Sequence, residues 1–419
     1  MAQLNRMKSR PQQIAVIGAG PIGLEAALYA RALGYEVTVF ERGEVGASVR
    51  DWGFITLFSP WSLNCSSLGR QALRRDDPAW TPPDDEACPT GQEYAERYLL
   101  PLSRLAALRG CIRTQTEVLA VGREGLLKGD LIGDLRRGGH PFRILVRDRS
   151  GQERVHRADV ALDASGTYGN HNWVGSGGIP APGERANAHR ISYRLEEIAG
   201  AARSRYAGRR TLLVGGGYSA ATTAVAFEAL IREAPGTSLL WVSRTEDEMP
   251  YQSIPDDRLP SRAALIASAI RIVSGRPGIE YHRCASVEAI RYADAEGCFG
   301  VTLRIDGETR ETAVDRIIGN VGYSPDGSIY RELQVHECYA TCGPIDLAAS
   351  LLASSSGPDC LARTSAGPEA LKNPEPNFYI LGAKSYGRNS TFLIRLGLEQ
   401  VRDVFTLIAG DPGLDLYRG

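Results

Sequence analysis

Three glycines at positions 18, 20 and 23, followed by a carboxylate at Glu41, have the types and spacing to hold a pyrophosphate-linked dinucleotide. After Gln13 the chain reads I-A-V-I-G-A-G-P-I-G-L-E-A-A-L-Y-A-R-A-L-G-Y-E-V-T-V-F-E-R. Gly18 permits a tight turn, Gly20 lets the backbone approach a phosphate, and Gly23 lets a helix pack closely on a strand. A helix opening at Pro21 and Ile22 turns its free N–H groups and positive dipole end toward that phosphate. Glu41, with Arg42 beside it, closes the next strand, where a carboxylate accepts hydrogen bonds from ribose hydroxyls.

A second set repeats the pattern in the middle of the chain. After Arg210 the sequence reads T-L-L-V-G-G-G-Y-S-A-A-T-T-A-V-A-F-E-A-L, followed by S-L-L-W-V-S-R. Gly215 and Gly217 keep the turn, Tyr218 and Ser219 open the helix, and Ala220 replaces the third glycine, which pushes the helix slightly away from the strand. This second unit ends in Ser243 and Arg244 instead of an acid. A guanidinium there holds a 2′-phosphate that a carboxylate would repel, which favours NADPH over NADH. The alternative is that Arg244 is only a solvated strand end.

Both sets require the same support: a short apolar strand, a glycine turn, a helix and a second strand. At 419 residues, 43% hydrophobic and 23% charged, the chain is long enough for two domains with separate cores. The expected fold class is α/β, with two Rossmann-like three-layer dinucleotide-binding domains. A formal net charge of -1 supplies no field to attract nucleic acid or an anionic membrane. The first residues, Met1 to Arg10, are polar and basic, and Gly18 interrupts the first apolar run, so no signal-peptide core is expected. No run approaches the roughly 20 apolar residues of a membrane span, and a cytoplasmic location is expected. The eight cysteines lack the paired spacing of a zinc site, so no metal is expected. Cys338 and Cys342, the closest pair, read either as a redox dithiol or as small buried hydrophobes.

The order of these units, with further segments, resembles the two-dinucleotide-binding flavoprotein superfamily, which includes thioredoxin reductases, flavin-containing monooxygenases and N-hydroxylating monooxygenases. Thr116-Glu117-Val118 is similar to the strand whose backbone contacts the adenine in that family, and A-L-D-A-S-G-T at 161–167, with Gly166, is similar to its A-T-G-type turn. I-I-G-N-V-G-Y-S-P-D at 317–326 resembles the return crossing from the NADPH domain, and N-F-Y-I-L-G-A at 377–383, with Gly382, resembles the last FAD-domain strand. The resemblance implies FAD at the first glycine turn and NADPH at the second. It also implies a nested order: residues 1–185 as the first part of the FAD domain, 186–318 as the NAD(P)H domain, and 319–419 as the second part, with a lid-like or subunit-contacting region at 336–372.

The departures narrow the chemistry. Gly382 is followed by Ala383 where many disulfide reductases have Gly-Asp, and no C-x-x-C or C-x4-C falls where relatives place their redox disulfide. Only an echo of the F-x-G-x3-H-x3-W signature remains, in Gly183, His189 and Tyr193. Reduced flavin is anionic near its pyrimidine edge, and the superfamily points a helix N-terminus there. The expected helix is Leu393 to Ile408, with backbone amides near Thr391 and Phe392 facing the flavin and Lys384, Arg388 and Asn389 near the cleft. The run from 46 to 70 offers Arg50, Asp51, Trp52, Phe58, Ser59, Trp61 and Asn64 as pocket candidates; charges in an aromatic run are costly unless paired or used. Of these, Arg50 and Asn64 are the catalytic candidates.

The resemblance and its departures imply an FAD-dependent, NADPH-using oxidoreductase. The leading reading is a monooxygenase that forms a flavin C4a-hydroperoxide with O2 and oxygenates a nitrogen, sulfur or carbon centre of a small molecule. The alternative is a reductase or dehydrogenase acting on a quinone, a disulfide or a protein partner. Association of two copies as a homodimer stays open.

Overall fold

The computed structural model of the chain describes residues 13–247, 251–254, 257–353 and 365–418. Strand β1 (Gln13–Ile17), helix α1 (Pro21–Ala32) and strand β2 (Glu36–Phe40) form the first unit, with β1 and β2 parallel. Alternation along β1 decides its two environments. Ile14 and Val16 join the cluster that contains α1, whereas Ala15 and Ile17 point the other way. Short helices at Ala47–Asp51, Trp61–Asn64 and Ser67–Asp76 then lead to β3 (Ile112–Arg113). An antiparallel meander follows, β4 (Thr116–Arg123), β5 (Phe142–Asp148) and β6 (Glu153–Ala158), and then β7 (Val160–Asp163).

The middle of the chain repeats this plan. β8 (Arg210–Val214), α2 (Tyr218–Glu233) and β9 (Ser238–Val242) are followed by α3 (Pro260–Val273) and β10 (Ile279–His282). A second meander, β11 (Ala285–Ala293), β12 (Cys298–Ile305) and β13 (Glu308–Val314), leads into β14 (Arg316–Gly319). The last part contributes α4 (Ile345–Ala353), β15 (Phe378–Ile380) and α5 (Ile394–Ala409).

The chain divides into two compact units, one joining the segment up to Asn170 with that from Ser324 onward, the other spanning His171–Tyr323. In the first, a sheet of order β15-β7-β1-β2-β3 has α1 and α5 packed on one face and the β4-β5-β6 meander on the other. In the second, a sheet of order β10-β9-β8-β14 has α2 and α3 on one face, through Leu213, Trp241 and Ile318. Its other face meets the β11-β12-β13 meander through Leu212, Val214 and Val242. Both are three-layer α/β arrangements in which the central parallel strands β1, β7, β8 and β9 bury both faces, while the edge strands β3 and β10 keep exposed positions. The expected boundaries shift: residues 171–185 and 319–323, assigned from sequence to the flanking domain, pack in the second unit.

The lid-like region does not form one element. Residues 336–345 make a hairpin, with Glu337 bridged to Pro344, and α4 follows at once. Residues 354–364 of this region, the Ser-Ser-Ser-Gly-Pro run among them, lie outside the described residues. The long connection between β4 and β5 is pinned from inside: Arg123 and Arg137, both with fully buried side chains, grip Glu375 at 2.7 and 2.8 Å. Among the described residues no helix is long and apolar enough to cross a membrane, and no three His, Cys, Asp or Glu side chains gather into a group that could hold a metal ion.

Candidate dinucleotide sites

At the first glycine turn, Gly18 adopts φ +99°, and a Cβ there would lie 2.7 Å from the carbonyl oxygen of Ala164, at the end of β7. A Cβ on Gly23 would collide with the carbonyl oxygen of Gly18. Gly20 differs: nothing lies within 4 Å of its would-be Cβ, and its φ of -82° suits any residue. Packing therefore explains Gly18 and Gly23, while Gly20 borders empty space of the kind a phosphate would fill. The second unit repeats this division. A Cβ on Gly215 would collide with the carbonyl oxygen of Asn320 at the end of β14, whereas Gly217 has nothing within 4 Å. Ala220 is fully buried, so its methyl is accommodated within the core.

The helices that follow both turns start without a side-chain cap, as α3 also does after Leu259, whereas some others carry one. The helices beginning after Ser66 and Thr90 are capped by those side chains, which accept the amides of Gly69 and Glu93. Helices α1, α2 and α5 begin after Gly20, Gly217 and Leu393 with no side-chain cap and no acid in the first turn. Their first N–H groups and dipole ends are left to an external anion.

In the first unit, the Glu41 carboxylate accepts the amides of Ala19 and Gly43, each at 2.8 Å. Each oxygen keeps a lone pair for a ribose hydroxyl. Arg42 is exposed beside Gly169. Val118 is buried in β4 opposite Val146, just before a register shift. Gly166 takes φ +71° in the turn after β7. Gly382, at φ +70°, sits against Ile22 and donates its amide to the buried side chain of Gln400 at 2.8 Å. Gln400 was invisible in the sequence, where it reads as a polar helix position. It holds the segment that follows β15.

Several expected site residues have other roles. Lys384 is 1% exposed, and its ammonium meets the Asp163 carboxylate at 2.7 Å and the Ser165 hydroxyl at 3.0 Å, above the Tyr330 ring. An ammonium enclosed this way is paired because a bare buried charge is prohibitively costly, so Lys384 is not a free cation for the cleft. Asn64, fully buried, ties its own loop: its amide donates to the carbonyls of Ser59 and Pro60, and it accepts the Ser59 hydroxyl. It is a loop staple, not a reacting group. Asn389 accepts the amide and hydroxyl of Thr391, so that amide is used inside the turn. Phe392 meets Tyr386 edge-on. Arg50 and Arg388 are exposed, and the Arg388 amide donates to the carbonyl of Thr341 at 2.7 Å. Helix α5 begins at Ile394, one residue later than expected.

In the second unit the segment from Gly216 to Ser219 is exposed at the start of α2. Trp241 donates its indole N–H to the carbonyl of Gly215 at 2.8 Å, and the Tyr251 hydroxyl reaches the carbonyl of Gly217 at 3.0 Å. These two aromatic residues, which carry no signal in the glycine pattern, hold the turn open from below. Ser243 is buried with its hydroxyl 2.7 Å from that of Tyr281, while Arg244 is exposed at the strand end. Within the echo motif, His189 is exposed, whereas Tyr193 is buried and donates to Glu184.

Among the described residues, no cysteine lies within either glycine turn. Ile22 occupies the start of α1, and burial pushes the Cys65 thiol up to about 12. The seven described cysteines are all free.

Residues 15–127 match the family described as pyridine nucleotide-disulphide oxidoreductase. No curated protein matches the chain. Among solved structures, bacillithiol disulfide reductase from Bacillus cereus is 19% identical with a TM-score of 0.68, over 96% of this chain and 99% of that one. An ornithine N-hydroxylase from Kutzneria sp. 744, a complex named with reduced FAD, NADP+ and L-ornithine, is 14% identical with a TM-score of 0.62, over 96% and 99%. Thioredoxin reductase of T. acidophilum is 16% identical with a TM-score of 0.58, over 96% and 99%. At these identities the likeness is one of fold.

Proposed function

From the premise that this chain has the fold of the two-dinucleotide-binding FAD/NAD(P) flavoproteins, we propose that it is an FAD-dependent, NADPH-using oxidoreductase. The observation that carries this is the pair of open glycines, Gly20 and Gly217, each ahead of an uncapped helix in a separate three-layer unit. Gly18, Gly20, Gly23 and the α1 N-terminus would hold the FAD pyrophosphate, with Glu41 on the ribose and Gly166 and Gly382 lining the path. Gly215, Gly217, Ser219 and the α2 N-terminus would hold the NADPH pyrophosphate, with Ser243 and Arg244 on the 2′-phosphate. Bound FAD would supply the two-electron chemistry. The protein's part is to orient both nucleotides, offer helix dipoles to their phosphates, and leave the uncapped α5 N-terminus for anionic charge.

The finer reading is oxygen insertion into a nitrogen, sulfur or carbon centre of a small molecule, in the cytoplasm. It is supported by Ile22 at the start of α1 and by the buried Cys65, whose thiol burial pushes up, so that among the described residues no dithiol lies in the first turn. A second reading, reduction of a disulfide, is favoured by Cys338 and Cys342, four residues apart on one hairpin. FAD-loaded protein reduced with NADPH and mixed with oxygen separates the two. The oxygenase reading requires a substrate whose product gains labelled oxygen in step with NADPH use. Release of hydrogen peroxide in full yield with every nitrogen, sulfur and carbon candidate would sink it.

A further inference from the structure

Helix α1, whose uncapped N-terminus follows the open Gly20, carries a single acid, Glu25. Glu25 lies in the second turn of the helix, roughly 7 Å along its axis from Gly20 at about 1.5 Å per residue. It is 0% exposed, and neither carboxylate oxygen has a well-formed hydrogen bond.

The groups around it offer no charge to pair with. Cys65 and Ser66 approach from the turn before the helix Ser67–Asp76, Tyr94 and Tyr98 from the helical segment 91–99, Tyr29 from α1 itself, and Tyr417 from the segment after α5. Burial pushes up the Cys65 thiol and the hydroxyls of Tyr29, Tyr94, Tyr98 and Tyr417, so all of them are neutral near pH 7. The charged residues on the same elements are spent on one another: Arg70 pairs with Asp85, and Arg402 with Asp403 and Asp415. A carboxyl enclosed without a cation resists ionisation. Burial raises Glu25 to about 7, which leaves it balanced between its two forms near neutral pH.

We propose that Glu25 couples FAD binding to proton uptake: when a pyrophosphate is seated on the α1 N-terminus, Glu25 takes a proton from solvent, and loss of that proton loosens FAD. The coupling rests on the FAD assignment above. Its cause is Coulombic repulsion between a carboxylate and two phosphate charges on one helix, across an interior that salt screens poorly. The effect is reciprocal, because whatever raises the affinity of Glu25 for its proton must raise the affinity for FAD equally when the proton is bound. Below about pH 7 Glu25 is protonated with or without FAD, and affinity is level. Above it the FAD-free chain has lost the proton while the loaded chain retains it, so affinity falls as pH rises from about 7. His156, which packs on Phe40 of β2, is held below 6.5 by burial and by the Arg113 charge, and so titrates outside this window.

The test starts from the full-length protein loaded with FAD. Release of FAD on dilution, followed by flavin fluorescence, should quicken about tenfold between roughly pH 6.5 and 8.5, the span expected for a shift of about one pH unit. In Glu25→Gln, which keeps the shape of the protonated side chain, release should be slow and level over the same range. Calorimetric titration of the stripped chain with FAD, in two buffers of different ionisation enthalpy, should count an uptake of about half a proton near pH 7.5 in the natural chain and none in Glu25→Gln. If Glu25→Gln does not fold, the proton count of the natural chain decides alone. A release profile shared by both proteins, or an uptake of zero, overturns the coupling and leaves FAD binding in place. A chain that takes up no FAD at any pH overturns the FAD assignment, and the coupling with it.

Discussion

Glu25 shows how much one side chain can hold in reserve. It lies in α1, two residues beyond Gly23, fully buried, and neither carboxylate oxygen has a well-formed hydrogen bond, although the hydroxyls of Ser66 and Tyr417 lie beside it. Burial raises its pKa from 4.5 to about 7. Below pH 4.5 both folded and unfolded chains hold this proton and it costs nothing; between 4.5 and about 7 only the folded chain holds it, so stability falls as pH rises through that window. The deficit at neutral pH is about 3 kcal/mol. Glu25→Gln should remove this slope and raise the melting temperature at neutral pH but not at acid pH, as scanning calorimetry would read. The glycines permit a second prediction. Gly20→Ala and Gly217→Ala should fold normally yet weaken FAD and NADPH binding respectively by about tenfold or more, whereas Gly23→Ala should destabilise the fold itself, because its methyl meets the Gly18 carbonyl. Arg244→Ala should raise the NADPH KM roughly tenfold while leaving that for NADH unchanged; equal changes would count against a 2′-phosphate contact.

At the scale of elements, the joints between strand ends are polar and buried. Lys384 and Asp163 link the segment after β15 to the end of β7, with their side chains 1% and 0% exposed. Removing one partner leaves the other charged in the interior, so Lys384→Met should cost about 3–5 kcal/mol in denaturant unfolding, while pairing it with Asp163→Leu should recover most of the loss. A double variant as unstable as the single one would mean that the pair does more than neutralise itself. The sequence made the two βαβ units legible at this scale, because apolar alternation and glycine spacing are local. It could not place Lys384: a lysine after a strand reads as a surface or cleft cation, and only the approach of β7, more than two hundred residues earlier in the chain, enclosed it. Asn64 was misplaced for the same reason, its three hydrogen bonds being set by how its loop closes.

At the scale of the whole molecule, the inserted unit has its own sheet, its own helices and two hydrophobic clusters, so it carries what an independent fold needs. Expressed alone, residues 171–323 should unfold cooperatively and bind NADP+ but not FAD; failure to fold would mean that the unit depends on its neighbour, as circular dichroism and calorimetry would show. The order of the chain into and out of this unit was readable from the similar segments at 161–167 and 317–326, but the crossing points were not. They fall at Asn170 and Ser324 because the strand pairings and clusters, not the motifs, decide which unit claims each flanking residue.

By itself the sequence determined the two glycine turns, the alternating strands around them and the α/β class, since these follow from steric freedom and from side-chain periods of 2 and 3.6 residues within a few turns of chain. Only the tertiary structure decided which glycines face empty space and which face backbone, which cations are spent in buried pairs, and that Trp241, Tyr251 and Gln400 support the turns. The physical reason is that each of these depends on atoms brought together from distant positions, and burial, unlike periodicity, is a property of the whole packed chain.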